Sequence, residues 1–139
     1  MESPTLVDTG PLVALLDRND RVHPWSVDEL SRLTDPLLTC ESVLSEAAFL
    51  LRKNGQKVDQ LAQLVTAGIV VIDFSLGAQF ESVRKLMRKY HDTPMSLADA
   101  CLVRMSEIVP DSRVFTLDSE FFHYRRNGRQ IIPLIHPDR

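Results

Sequence analysis

The chain has 139 residues, 44% of them hydrophobic and 25% charged, which is the size and composition of one globular domain with a sizeable core. Its 16 Lys and Arg against 19 Asp and Glu leave a formal net charge of −3; long-range attraction does not by itself advertise a nucleic-acid binder, and any phosphate-binding surface has to be local. No apolar run approaches the roughly 18 residues of a membrane span, no basic-then-apolar signal pattern opens the chain, and Cys40 and Cys101 have no C-x-x-C partner, so a cytoplasmic protein with two reduced core thiols is expected.

Thr5-Leu6-Val7 reads as a short apolar strand stopping at Asp8. Thr9 is then placed to N-cap a helix with Pro11 in its first turn, running through Leu16, and Gly10 to make the tight turn. A helix over Pro24 to Leu33 and a brief extended run at Leu37-Leu38-Thr39 follow. Apolar residues at Val43, Leu44, Ala47, Leu50 and Leu51 predict a helix from Ser42 to Lys53, stopped by Asn54-Gly55. Val58 to Ala67 reads as its antiparallel partner, and Gly68 leads into the β-branched run Ile69 to Asp73, typical of a buried strand. Helices are expected over Leu76 to Tyr90 and Ser96 to Ile108, then strands at Val114-Phe115-Thr116 and Ile131 to Ile135. Strands alternating with helices predict an α/β domain, a mostly parallel sheet with helices on both faces. With no repeat or Gly/Ser linker, residues 1–139 are expected to form a single domain.

Asp8-Thr9-Gly10 between apolar runs also matches the catalytic loop of an aspartic protease. Those enzymes are all-β and need Gly-rich turns, whereas here a helix follows the motif and the chain has five glycines.

In an open parallel sheet, active sites form outside the carboxyl ends of the strands. Asp8 and Asp118 sit at such ends. Steps of about 100° per residue place Glu46 between Phe49 and Leu50, at the edge of an apolar stripe, so its carboxylate is expected to border the core. Asp99 lies in the first turn of a helix that is apolar nearly all round, and therefore needs a partner. Each acid has a structural reading as well: Ser96 and Asp99 suit a capping box, Asp118 could open a turn, and Asp8 could cap the following helix. Four converging carboxylates, however, repel and take up protons unless divalent cations neutralise them. Hard oxygen donors without a His or Cys cluster favour Mg²⁺ or Mn²⁺ over zinc.

The segments LVDTGPLVALLD, ESVLSEAAFLL, PMSLADACLVRMSE and VFTLDSEFFHYR, in this order and spacing over residues 6 to 125, resemble the PIN domain, and in particular the small VapC-type ribonucleases that serve as toxins of toxin–antitoxin pairs. The resemblance implies an α/β/α sandwich around a twisted, mostly parallel sheet. It implies that Asp8, Glu46, Asp99 and Asp118 form the family's acidic cluster, with Thr9 and Thr116 at its small hydroxyl positions. Two departures stand out: Ser96 occupies a position that is frequently aspartate in relatives, and Glu120 replaces the last aspartate of T-x-D-x-D-F.

The implied activity is metal-assisted hydrolysis of single-stranded or looped RNA, in which a bound Mg²⁺ or Mn²⁺ activates and orients the attacking water. Asp8, Asp99 and Asp118 are then the expected metal ligands, Glu46 a ligand or water-orienting base, and Thr9, Thr116, Ser96 and Glu120 supporting residues around them. Arg84, Lys85, Arg88, Arg125 and Arg126 are candidates for gripping RNA, although charged faces are usually only solvated. The resemblance further implies a homodimer and an antitoxin protein that presents a basic side chain to the acidic pocket; no membrane partner is expected. Two rivals remain: a PIN-like RNA-binding module or RNA-processing nuclease without a toxin role, and a phosphatase or phosphotransfer domain with a nucleophilic Asp8. The latter expects an acid two positions after Asp8, where Gly10 stands.

Overall fold

The computed structural model describes residues 2–139. In chain order these form β1 (Thr5–Val7), α1 (Thr9–Leu16), α2 (His23–Ser31), β2 (Leu37–Thr39), α3 (Glu41–Lys53), α4 (Asp59–Thr66) and β3 (Val70–Ile72). The second half comprises α5 (Leu76–Lys89), α6 (Leu97–Ile108), β4 (Arg113–Phe115), a 3₁₀ turn (Ser119–Phe122), β5 (Arg125–Arg126), β6 (Gln130–Ile131) and β7 (Leu134–Ile135).

Five strands make one sheet in the order β3-β2-β1-β4-β7, with every neighbouring pair parallel. Each strand is three residues or fewer, and the central one, Thr5-Leu6-Val7, is wholly buried, as an unbroken apolar run in a sheet covered on both faces should be. The chain builds outward from β1 through β2 to β3, then returns to place β4 on the other side of β1. That reversal opens a crevice at the carboxyl ends of β1 and β4. The α/β/α architecture expected from the alternation of elements is the one observed.

Helix α6 is the most deeply placed. Leu102, Val103 and Met105 are buried alongside Ala98 and Ala100, as its apolar residues on all sides require. It lies between α5, α3 and the sheet. Cys40 and Cys101 are free, buried thiols. No helix among the described residues is long and apolar enough to cross a membrane.

Three local expectations change. The N-cap of α1 is Asp8, not Thr9, which is already helical. Gly10 lies inside α1 and makes no turn; its missing side chain matters because a Cβ there would fall 3.1 Å from Leu117 Cδ1 and 3.2 Å from Leu117 Cβ. The expected strand from Ile131 to Ile135 is broken at Pro133, which has no N–H to donate. Its first part pairs antiparallel with β5 as a hairpin turned by Asn127 and Gly128 at φ 51° and 83°, a region these two residues tolerate. Its second part joins the main sheet beside β4.

Candidate active site

The four acids arrive from two kinds of element, strand ends and helices. Asp8 continues the β1–β4 ladder one step past the strand, its N–H donating to Phe115 O at 3.0 Å, so its backbone is fixed by the sheet. Its Oδ1 accepts from the Thr9 N–H at 2.7 Å, which caps α1, and its Oδ2 accepts from the Thr116 hydroxyl at 2.7 Å. Thr116 is completely buried, and its Oγ1 in turn accepts the Asp118 N–H at 3.0 Å. One hydroxyl thus ties the acid after β1 to the acid after β4. Asp118 caps the 3₁₀ turn, its Oδ1 accepting from Glu120 N–H at 2.9 Å. Glu120 therefore enters the site through its backbone.

The other two acids come from helices. Asp99 forms a reciprocal capping box with Ser96 at the start of α6: Ser96 Oγ accepts the Asp99 N–H at 3.0 Å, and Asp99 Oδ2 accepts the Ser96 N–H at 3.2 Å. The same Oδ2 accepts the Tyr124 hydroxyl at 3.2 Å. Capping and clustering, alternatives in the sequence, are both realised at this residue. Glu46 differs from expectation: it is solvent-exposed on α3, not bordering the core, and it reaches the cluster through its Oε2, which accepts the Thr9 hydroxyl at 3.1 Å. Among the described residues, Asp99 Oδ1, Asp118 Oδ2 and Glu46 Oε1 accept no hydrogen bond from protein.

The carboxylates are electrostatically strained. Burial pushes the Asp8 carboxyl up from 3.8 to about 6, against the lowering effect of the Thr116 and Thr9 hydrogen bonds and with the charges of Asp99 and Asp118 adding to the rise. Asp99 is raised as well, by burial and by the charge of Asp118. The Tyr124 phenol is pushed above its usual range by burial and by Asp99, so it remains a donor. None of the four acids forms a salt bridge with a Lys or Arg among the described residues. Nor do any three His, Cys, Asp or Glu side chains among them stand in a group able to hold a metal ion as they are placed. By donor type the set still suits a hard divalent cation: it is all carboxylate and hydroxyl oxygen, with no salt bridge to a Lys or Arg among the described residues.

An open cleft of about 760 Å³ is bordered by Leu117, Ser119, Asp20, Arg21 and Asn54, and none of the four acids lines it. A second hollow of about 450 Å³ lies beside Glu46, with Ser45, Phe49 and Leu50. The basic candidates divide. Lys85 and Arg88 are exposed on α5, whereas Arg84 pairs with Glu81 at 2.6 Å. Arg125 donates to the carbonyls of Phe122 and Tyr124 at 2.9 and 3.0 Å, and Arg126 donates to Ser112 O at 2.7 Å, so both guanidinium groups hold the backbone around the hairpin. Tyr124 was not a candidate from sequence; the only signal was its place in the aromatic run six residues after Asp118.

The family model of the PIN domain matches residues 5–127 of the chain. Among solved structures, the VapC20 toxin of Mycobacterium tuberculosis, which cleaves the sarcin–ricin loop, superposes with a TM-score of 0.76 over 84% of this chain and 91% of that one, at 17% sequence identity. No curated protein matches in sequence.

Proposed function

Because the chain belongs to the PIN domain family, we propose that it is a divalent-metal-dependent endoribonuclease acting on single-stranded or looped RNA, and the toxin of a type II toxin–antitoxin pair. The observation that carries this reading is the group of four carboxylates at the switch point of the sheet. Two of them, Asp8 and Asp99, are buried, raised in pKa and paired with no basic side chain among the described residues. Such a cluster is stabilised by a cation rather than by the protein.

Asp8, Asp99 and Asp118 would hold Mg²⁺ or Mn²⁺, with Glu46 as ligand or water-orienting base; the cation would supply charge neutralisation at the phosphate and acidify the attacking water. The chain's own contributions are positional. Thr116 orients Asp8 and, through the Asp118 N–H, the start of the 3₁₀ turn. Thr9 orients Glu46 from the first residue of α1. Glu46, exposed and with Oε1 accepting no hydrogen bond among the described residues, is the carboxylate best placed to orient the attacking water and accept its proton. Exposed Lys85 and Arg88 are the stronger candidates for RNA phosphates, while Arg125 and Arg126 serve the fold. The likeness to VapC20, a toxin that cleaves the sarcin–ricin loop, supports RNA as substrate and an antitoxin as partner; a homodimer and a cytoplasmic setting rest on the family resemblance alone.

Asp99→Asn, or excess EDTA on the native protein, should abolish cleavage of single-stranded RNA in Mg²⁺ or Mn²⁺ while the circular dichroism spectrum is retained. Full activity in either case would sink the mechanism. A catalytically competent protein whose induction leaves growth unaffected would point instead to an RNA-processing nuclease.

A further inference from the structure

Asp99 is held by two donors on one oxygen. Its own capping box supplies the first, the Ser96 N–H, which would satisfy a helix N-terminus without further help. The second, the Tyr124 hydroxyl at 3.2 Å, comes from a different part of the chain. Tyr124 has no exposed surface, and its ring is wedged edge-on between Tyr90 at 5.1 Å and Phe121 at 5.0 Å between centroids. Tyr90 is itself fixed, its hydroxyl accepting the Arg125 N–H at 3.0 Å, and the Tyr124 N–H donates to Glu120 O at 3.2 Å. A phenylalanine would fill this core position equally well. The hydroxyl's recorded partner is the carboxylate.

We propose that Tyr124 is a positioning residue for the metal site: by holding Asp99 Oδ2 it would leave Oδ1, which accepts no hydrogen bond among the described residues, free to ligate a cation, so that the segment from Asp118 to Tyr124 would both supply one carboxylate and hold another in place. The proposal rests on the reading of Asp99 as a metal ligand. Two donors on one carboxylate oxygen restrict rotation about the Cβ–Cγ bond, and outer partners of this kind set ligand orientation and metal affinity.

The test is Tyr124→Phe, which removes one oxygen and keeps the ring. Mn²⁺ affinity is measured by titration calorimetry, thermal unfolding is followed with and without Mn²⁺, and RNA cleavage is resolved into kcat and KM. The expected result is Mn²⁺ binding weakened about tenfold, a smaller Mn²⁺-induced rise in melting temperature, a reduced kcat and an unchanged KM for RNA, with the metal-free melting temperature held within a few degrees. Native Mn²⁺ affinity and native kcat in Tyr124→Phe overturn the proposal, as does an equal loss of melting temperature with and without Mn²⁺, the signature of a packing role. Asp99→Asn separates the two levels: if it loses Mn²⁺ while Tyr124→Phe binds normally, only the role of Tyr124 fails; if it binds Mn²⁺ as the native protein does, the ligand assignment itself fails.

Discussion

Asp8→Asn should make the metal-free protein more stable at neutral pH. In the fold the Asp8 carboxyl is pushed up to about 6, from an ordinary 3.8. Well below pH 3.8 it is protonated whether the chain is folded or not. As pH rises through the window between 3.8 and 6, the folded protein holds a proton that the unfolded chain has released, so stability falls with pH across that window and the loss is complete above it. At about 1.4 kcal/mol per pH unit, the interval amounts to about 3 kcal/mol. The figure already includes the help that the ionised form receives from Thr9 and Thr116. Asparagine keeps an acceptor for the Thr9 N–H, but its amide faces a Thr116 hydroxyl that must then find another acceptor, at a cost of about 1 kcal/mol. The net gain is about 2 kcal/mol at pH 7.5. Urea unfolding of both proteins in EDTA, from pH 4.5 to 7.5, isolates Asp8 in the difference between them. That difference should grow in favour of the variant as pH rises through the window, and saturating Mg²⁺ should cancel it by stabilising only the native protein. A flat difference, or a variant less stable than the native protein at pH 7.5 without metal, would refute the reasoning.

Thr116→Val removes the bridge between Asp8 Oδ2 and the Asp118 N–H; it should lower stability by about 1–3 kcal/mol in urea unfolding and slow RNA cleavage at saturating Mg²⁺ at least about tenfold, and a native rate would show that the two acids are held independently. Arg126→Ala should reduce stability by about 1–2 kcal/mol, because it strips the Ser112 carbonyl of its donor, while leaving RNA affinity unchanged in a binding titration. Weaker RNA binding at native stability would return Arg126 to the substrate surface.

The parallel α/β arrangement follows from features visible in the sequence: apolar triplets such as Thr5-Leu6-Val7 and Val114-Phe115-Thr116, each followed within two residues by an acid and separated by helical periodicity; the strand order does not. Asp8 and Asp118 were legible for the same reason, since a strand end fixes where the next residue stands. Glu46 was placed correctly along α3, but its burial was misjudged; the helical projection gives its angle and not the depth to which a neighbouring helix covers it. Arg125 and Arg126 looked like a basic patch because a guanidinium facing a carbonyl and one facing solvent have the same letter. Tyr124 was invisible for a related reason: its ring belongs to the core and its oxygen to the site, and only the fold of residues 118–124 brings that oxygen to Asp99. The hairpin of β5 and β6 was missed although Asn127-Gly128 advertises a turn, because the apolar run beyond it suggested one continuous strand through Pro133.

Asp8 directly follows β1 and is tied to the sheet by its N–H, while Asp118, three residues past β4, is tied to Asp8 through the buried Thr116 hydroxyl and the close approach of Leu117 to Gly10. Their spacing is therefore set by these short links to the sheet. Glu46 and Asp99, in contrast, ride on α3 and α6, which can slide or tilt without breaking a ladder. Any adaptation of this centre, whether to a larger ion, a different nucleotide or an inhibitor's side chain, therefore has to run through the two helices. Changes that loosen α3 or α6 should retune selectivity, while changes along β1 and β4 should abolish function outright.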